Sequence, residues 1–266
     1  MSDIIDCEHT VTGHGPPLFL IHGIGAARDA WRLMVPLLAE NYTCITYDLR
    51  GHGTSPVPDG EFGLDQLVDD LEALRERLGI DKAHFAGHSL GGMIGPAYAR
   101  KHPARVLSLG LLSTAAGRTQ DDSAKVWGVV RAMAENGIES TLQTLVARWF
   151  TDEFIAANPQ IIERRLKQVV DTNPDVFMNV FRIYAGTEMS PWLRQVEAPS
   201  LVLTGENDGG CNPRLNRFIA DELPNAELVI LDHVKHSILI EVPDQVAKHM
   251  HSFIECGPQS GLRIDV

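Results

Sequence analysis

The sequence has few cysteines, no long apolar run and no excess of positive charge, and each shortage excludes a class of protein. The cysteines stand far apart, without a CxxC pair or a nearby histidine at metal-ligand spacing, so they predict free thiols rather than a disulfide framework or a zinc site. No apolar run approaches the about 20 residues that a bilayer span needs, and the acidic start, residues 1–6, lacks the apolar segment of a signal peptide. We therefore expect a cytoplasmic protein.

The charge and length of the chain limit its possible binding partners and its possible architecture. The 266 residues include 23 Lys and Arg against 35 Asp and Glu, a formal charge of −12. Such an acidic chain disfavours nucleic acid and anionic membranes as partners. With 44% hydrophobic residues, the chain is long enough for one large core, or for a core domain that carries an insertion. Whether it forms a homo-oligomer stays open.

Short apolar segments rich in β-branched residues alternate with longer segments of helical period. The strand-like segments are 18–22, 42–47, 83–86, 106–112, 200–204 and 227–231. The helix-like segments are 29–40, 64–78, 90–101, 213–223 and 243–254. This alternation is typical of an α/β fold, in which helices cover both faces of a mostly parallel sheet.

One long stretch interrupts the alternation. Residues 113–199 hold several helix-like segments and no convincing strand, which predicts an inserted helical cap. We therefore assign residues 1–117 and 196–256 to the two parts of the core and residues 118–195 to the cap. Residues 257–266 are predicted to be a loose tail.

The strongest local motif is the G-x-S-x-G of Gly87-His88-Ser89-Leu90-Gly91. It follows a strand-like segment and opens a helix-like one, which is the context that a nucleophilic serine on a sharp turn requires. The two glycines of the motif remove side chains that would collide in such a turn. The pattern predicts Ser89 as a nucleophile; the alternative is a plain glycine-rich turn.

Two backbone amides are candidates for an oxyanion hole. The amide of Leu90 lies at the N-terminus of the predicted helix, where N–H groups lack partners. The second candidate is the amide of Ile24, in the loop that follows segment 18–22. His22 is interpreted as a hydrogen-bonding residue that shapes this loop; the alternative for the loop is a set of glycines that only turn the chain.

A serine nucleophile needs a base and a carboxylate that orients the base. Asp208 lies in the loop after segment 200–204, at the edge of the sheet where active sites of open α/β sheets are found, and is the predicted acid. Glu206 competes with it, and Asp232 is a weaker candidate. Among the 11 histidines, His236 follows the last strand-like segment and is the predicted base.

His233 is the nearest rival of His236, whereas His249 and His251 fit the polar face of a helix. The chain order serine, aspartate, histidine matches the order of one hydrolase fold rather than those of the two common serine protease folds.

These motifs resemble those of the α/β-hydrolase superfamily, from His22-Gly23 to the C-terminal helix. Residues 47–55 resemble its D-x-R-G-x-G-x-S loop, which implies structural roles for Asp48 and Arg50. Residues 236–241 resemble the H-x-x-x-x-E stretch of the family, and residues 111–116 resemble the strand that leads to the cap. The resemblance implies the α/β-hydrolase fold with a helical cap. Lys235 departs from the pattern, because relatives usually carry glycine there.

Within the superfamily the chain is most similar to 3-oxoadipate enol-lactonases and bacterial carboxylesterases. The similarity rests on cap residues: 113–116, Trp127, Arg131, 147–151 and Phe154. We expect an apolar substrate pocket to be lined by Trp127, Met133, Trp149 and Phe150, although such residues also form cap cores. Arg131 or Arg148 could pair with a substrate carboxylate; a solvated surface arginine is the alternative for each.

The sequence thus predicts a serine hydrolase that cleaves an ester or lactone of a small organic acid through an acyl-enzyme, without a cofactor or metal. Enzymes of this fold that use aspartate as nucleophile, the haloalkane dehalogenases and epoxide hydrolases, are excluded by Ser89. Two other enzyme types use the same triad, carbon–carbon bond hydrolases and perhydrolases. A ligand-binding receptor on a hydrolase scaffold is the alternative of another class.

Overall fold

The computed structural model of the chain describes residues 4–258 and 264–265. Within these residues one sheet contains eight strands: β1 His9–Thr12, β2 Pro17–Ile21, β3 Thr43–Tyr47, β4 Ala83–His88, β5 Val106–Leu112, β6 Ser200–Gly205, β7 Ala226–Leu231 and β8 Ile264–Asp265. Their order is β1-β3-β2-β4-β5-β6-β7-β8. β1 is antiparallel to β3, and the other neighbours are parallel. The mostly parallel sheet is therefore confirmed.

The six predicted strands are present, because each is a short apolar segment that the sheet buries. β6 is buried along its whole length, and β2 along all but its first residue. The edge strand β1 was not predicted, since its residues are mostly exposed and polar. The predicted loose tail, 257–266, lies largely outside the described residues, but its Ile264–Asp265 pairs with β7.

Helices cover both faces of the sheet. They are α1 Val35–Leu38, α2 Leu64–Arg77, α3 Gly91–Lys101, α4 Gln120–Asn136, α5 Leu142–Trp149, α6 Asp152–Ala157, α7 Pro159–Asp171, α8 Pro174–Gly186, α9 Pro213–Glu222, α10 Ile238–Glu241 and α11 Pro243–Cys256. The continuous helix predicted over 29–40 is wrong. A 3₁₀ turn, Arg28–Trp31, precedes the short α1, and Pro36 lies in the first turn of α1, where its missing N–H is tolerated. No helix in the described part of the chain is long and apolar enough to cross a bilayer.

The five helices α4 to α8 lie between β5 and β6, within the stretch assigned to the cap. Four of them form a hydrophobic cluster, to which α4 contributes Met133, α5 contributes Leu145, α7 contributes Val169 and α8 contributes Phe177. Separate clusters lie against the two faces of the sheet. The stretch assigned to the cap also packs on the sheet through α8, and a cavity lies between it and the loops that follow β2, β4, β6 and β7.

Candidate active site

Ser89 occupies the tight turn between β4 and α3. Its φ is 57°, a left-handed conformation that is rare for a residue with a side chain and is found where function requires strain. A Cβ at position 87 would collide with the carbonyl of Gly91, and one at position 91 with the carbonyl of Ile21. The two glycines of the motif are therefore required by the turn that presents Ser89 to the cavity.

Asp208 lies in the loop after β6, with only 2% of its surface exposed. Its Oδ1 accepts hydrogen bonds from the amides of Gly210 (2.9 Å) and Cys211 (2.8 Å), which fixes the carboxylate. Its Oδ2 lies 2.7 Å from Nδ1 of His236. Burial alone raises the pKa of Asp208, but the charge and hydrogen bonds of these neighbours lower it below the usual value. The carboxylate is thus ionised and oriented.

His236 lies between β7 and α10 and lines the same cavity as Ser89. Burial alone lowers its pKa, but the Asp208 carboxylate and the hydrogen bond to it outweigh burial and raise the pKa above the usual value. The bond to Asp208 engages Nδ1 and leaves Nε2 to exchange a proton. The ring nitrogen Nε2 of His88 lies 2.9 Å from the carbonyl of His236 and holds the backbone at this point.

The rival acid and base lie elsewhere. Oε2 of Glu206 accepts a hydrogen bond of 3.1 Å from the amide of His233, and the two side chains are 48% and 91% exposed. His251 lies on α11 and contacts the hydroxyl of Tyr42 at 2.8 Å. Asp232 is exposed. The structure therefore brings together Asp208 and His236 rather than their competitors.

The segment from Lys235 to Glu241 contains His236 and is attached to the cap on both sides of this residue. Nζ of Lys235 donates to the carbonyl of Ala147 (2.9 Å) and to Asp152 (3.0 Å). Glu241 accepts a hydrogen bond of 2.6 Å from the hydroxyl of Thr151. Lys235 is not among the residues with positive φ in the described chain, so the backbone there does not require the glycine of the relatives. The lysine side chain, which a glycine would lack, links this segment to the cap.

The cavity has about 1130 Å³ of space, including the part that is open to solvent. Its walls combine Ser89, Asp208 and His236 with cap residues, among them Val126, Val129, Leu145, Trp149, Phe181 and Tyr184. Three arginines also line it: Arg32, Arg148 and Arg165. Asp208 is the single carboxylate among the lining residues, and it is paired with His236. The cavity is therefore apolar with an excess of cationic side chains.

Four of the five residues predicted to line the pocket do not reach this cavity. Trp149 does, but Met133 and Phe150 are buried in hydrophobic clusters of the cap, and Trp127 packs beside the first of these. Arg131 is exposed. On α4 the cavity is lined by Val126 and Val129, and Arg131 follows Val129 by about 200° around the helix axis, so it points away. The predicted lining is corrected accordingly.

A family model of the alpha/beta hydrolase fold matches residues 16–243. The chain belongs to this family. It is 28% identical to 3-oxoadipate enol-lactonase 2 of Acinetobacter baylyi over 229 residues, which cover 86% of this chain and 84% of that protein. Two solved structures are similar in fold. The enol-lactonase of Burkholderia xenovorans LB400 has a TM-score of 0.88 and 26% identity, covering 94% of this chain and 97% of that one. A malate-bound thermophilic esterase of Thermogutta terrifontis has a TM-score of 0.85 and 25% identity, covering 94% and 93%.

In this alpha/beta hydrolase, Cys211 is a cavity residue that the sequence motifs did not indicate. Its amide binds Asp208, and its Sγ lies 3.2 Å from the hydroxyl of Tyr184. In the described chain, Cys211, Asp208 and His236 form a group that could hold a metal ion. Their ligand atoms lie within 4.8 Å of one another. However, the 2.7 Å contact of Asp208 with His236 is a direct hydrogen bond, too short for two ligands of one ion. The geometry suits proton transfer.

Three histidines around the site also belong to the alpha/beta hydrolase core: His22 and His52, which are buried, and His88, which is partly buried. Burial lowers the pKa of His22 to about 4, and those of His52 and His88 to about 3. Each ring is therefore neutral at neutral pH, and its two nitrogens differ in role. His22 fits its predicted role, since Nδ1 contacts the carbonyl of Gly23 at 2.8 Å and Nε2 accepts from the amide of Leu49 at 3.0 Å.

These histidines make the stability of the hydrolase fall in acid. Between about pH 6.5 and pH 4 the unfolded chain binds protons that the folded histidines do not, so the free energy of unfolding decreases by about 1.4 kcal/mol per pH unit for each. We expect His52→Gln to make this slope shallower by about that amount. Urea unfolding from pH 7 to pH 5 measures it, with the exposed His233→Gln as the matched control. Equal slopes in the two variants would contradict the prediction.

Proposed function

We propose that the protein is a serine hydrolase that cleaves esters or lactones of small organic acids through an acyl-enzyme. The observation that supports this most strongly is the 2.7 Å hydrogen bond between Asp208 and His236, in the cavity that Ser89 also lines. A buried carboxylate that orients a histidine in the same cavity as a serine on a strained turn fits the arrangement that activates a hydroxyl. The names of the similar proteins, two enol-lactonases and an esterase, point to the same bond types.

The first half of the reaction forms the acyl-enzyme. Oγ of Ser89 attacks the substrate carbonyl while Nε2 of His236 takes the hydroxyl proton. The carbonyl oxygen becomes an oxyanion, which the amides of Ile24 and Leu90 bind. When the intermediate collapses, the C–O bond to the leaving alcohol breaks and the alkoxide takes the proton from His236. In a lactone this alcohol stays attached to the acyl group.

The second half releases the acid. A water molecule gives a proton to His236 and attacks the acyl carbonyl, and the same two amides bind the new oxyanion. The ester bond to Ser89 then breaks, and Oγ recovers the proton from His236. Asp208 stays ionised throughout, because its role is to fix the ring tautomer and to stabilise the imidazolium.

The arginines of the cavity support a substrate that carries a carboxylate. The chain has a formal charge of −12, yet three arginines line this cavity and its one carboxylate is paired with His236. Among the described residues, Arg148 forms no hydrogen bond or ion pair, so its guanidinium can bind a substrate anion. We propose an enol-lactonase-like substrate, a lactone or ester of a dicarboxylic acid, with Arg148 as its carboxylate contact.

Steady-state kinetics on matched substrates test this assignment. We expect a carboxylated enol-lactone or dicarboxylate monoester to have a higher kcat/KM than a neutral p-nitrophenyl ester or homoserine-type lactone. Arg148→Met should raise KM for the carboxylated substrate about tenfold, because it removes a charged hydrogen bond, and leave the neutral substrates unchanged. Arg131→Met, an exposed arginine of the same cap, is the matched control. A wide preference for neutral short-chain esters would contradict the carboxylate assignment.

A further inference from the structure

The loop that follows β2, Gly23-Ile24-Gly25-Ala26, has three of its four carbonyls and two of its four amides in hydrogen bonds. The carbonyl of Gly23 contacts Nδ1 of His22 at 2.8 Å and also accepts from the amide of Ala26 at 3.4 Å. The amide of Gly25 donates to Nε2 of His52 at 3.4 Å. The carbonyls of Ile24 and Gly25 accept hydrogen bonds from one guanidinium, that of Arg165.

Two amides of this loop have no partner in the described part of the protein. Within residues 4–258, the N–H groups of Gly23 and Ile24 donate no hydrogen bond to another residue, and neither does that of Leu90, which follows Ser89. A buried N–H without a partner is rare in proteins and indicates a ligand or strain. The contacts thus fix the carbonyls of Gly23, Ile24 and Gly25, and of the two open amides that of Ile24 is the one predicted to bind the substrate oxyanion.

Arg165 belongs to the cap, not to the sheet. It lies on α7, about 140 residues after the loop, and its Nη2 donates to the carbonyl of Ile24 at 3.0 Å while Nη1 donates to the carbonyl of Gly25. Its guanidinium stacks 4.6 Å from the ring of Trp149 on α5. No acidic side chain forms an ion pair with it in the described part of the chain. The contacts place its charge against the loop and the cavity.

A second cap helix, α8, restricts the same loop by close packing against its backbone. Gly25 has a φ of 56°, and a Cβ there would lie 2.9 Å or less from two ring carbons of Phe177 on α8. The loop backbone therefore packs directly against the cap. Because the loop contains two glycines, its peptides would rotate freely without these contacts, and the Ile24 amide would lose its direction.

We propose that Arg165 is a positioning residue for the oxyanion hole, through which docking of the cap orders the loop that carries the Ile24 amide. This inference rests on the proposed hydrolase function. Its bidentate hydrogen bonds hold the two peptides that follow this amide, and its positive charge favours the negative charge that develops on the substrate oxygen. The oxyanion hole is then complete only when the cap is in place.

Kinetics of Arg165→Ala and Arg165→Lys test the proposal. Loss of one oxyanion donor lowers kcat about 100- to 1000-fold in a serine hydrolase, and a donor that is only misdirected should lower it less. We expect kcat to fall about 100-fold in Arg165→Ala and about tenfold in Arg165→Lys, with KM for a neutral ester changed less than threefold. Millimolar guanidinium should restore part of the activity of Arg165→Ala, because the ion can occupy the site beside Trp149.

Arg164→Ala is the matched control, since Arg164 is the adjacent residue and pairs with Asp29 on the surface, 2.7 Å away. Labelling of Ser89 by a fluorophosphonate gives a second readout that needs no substrate: its rate should fall with kcat in both Arg165 variants. A normal kcat in Arg165→Lys and Arg165→Ala, or a rise in KM alone, would overturn the proposal. So would a loss of activity in Arg165→Ala that guanidinium does not reverse while the thermal midpoint is unchanged. Failure of the wild type to be labelled would instead refute the hydrolase function itself.

Discussion

Replacing Ser89 by alanine is expected to lower kcat for an ester or lactone about a millionfold. Loss of the nucleophile removes the acyl-enzyme route entirely, and what remains is the about 1000-fold acceleration over water that binding and the oxyanion hole provide. The side chain of Ser89 is largely buried on its turn, and alanine has a similar size, so the fold should be retained. Pre-steady-state assays with an excess of a p-nitrophenyl ester measure the loss, and any burst of nitrophenol from acyl-enzyme formation should disappear.

A matched control separates the nucleophile from a serine that only packs. Ser108 is another buried serine, on β5, and its hydroxyl contacts Nδ1 of His84 at 2.7 Å rather than the cavity. Ser108→Ala should keep the kcat of the wild type within a few fold. If Ser89→Ala retained a tenth or more of the activity, the nucleophile would have to be another group.

Asp208→Asn is expected to lower kcat about 10⁴-fold. The amide can hold the ring of His236 in place, but it donates where the carboxylate accepts, so the ring takes the wrong tautomer and the imidazolium loses its counter-charge. The same change alters the pH dependence. Asp208 raises the pKa of His236, and removing its charge lowers that pKa, so the neutral, basic form of the histidine persists to lower pH.

The pH dependence of kcat/KM tests whether the pKa of His236 decreases in Asp208→Asn. In the wild type, activity falls as the pH decreases and the coupled pair binds a proton. In Asp208→Asn the remaining activity should decrease only at lower pH. Glu206→Gln, which changes the exposed rival carboxylate of the same loop, should alter neither kcat nor the profile. A larger loss in Glu206→Gln than in Asp208→Asn would reverse the assignment of the acid.

The sheet and the turn at Ser89 could be predicted because their signals are local. A parallel strand buried on both faces is a short apolar run, as in β6, and the turn at Ser89 requires glycine at fixed positions two residues away on each side. His236 could be placed because it follows the last long strand. The edge strand β1 has no such signal, since a strand of four mostly exposed residues resembles a loop.

The cap could not be predicted to the same depth. Which part of α4 meets the cavity depends on how the helices pack together: Arg131 points away from it, and Met133 shares the face of Val126 and Val129 but lies further along the helix, in the cap cluster. Arg165 was missed for a related reason. Its contacts with Ile24 and Gly25 span about 140 residues, and nothing in the surrounding sequence marks it.

The most direct test of the catalytic assignment is a crystal structure of the protein after reaction with a p-nitrophenyl phosphonate. We predict a covalent bond from Oγ of Ser89 to phosphorus, with the phosphoryl oxygen about 2.7 to 3.1 Å from the amides of Ile24 and Leu90 and with Nε2 of His236 beside the bonded oxygen. A phosphonyl group on any other residue, or one whose oxygen points away from both amides, would contradict the account.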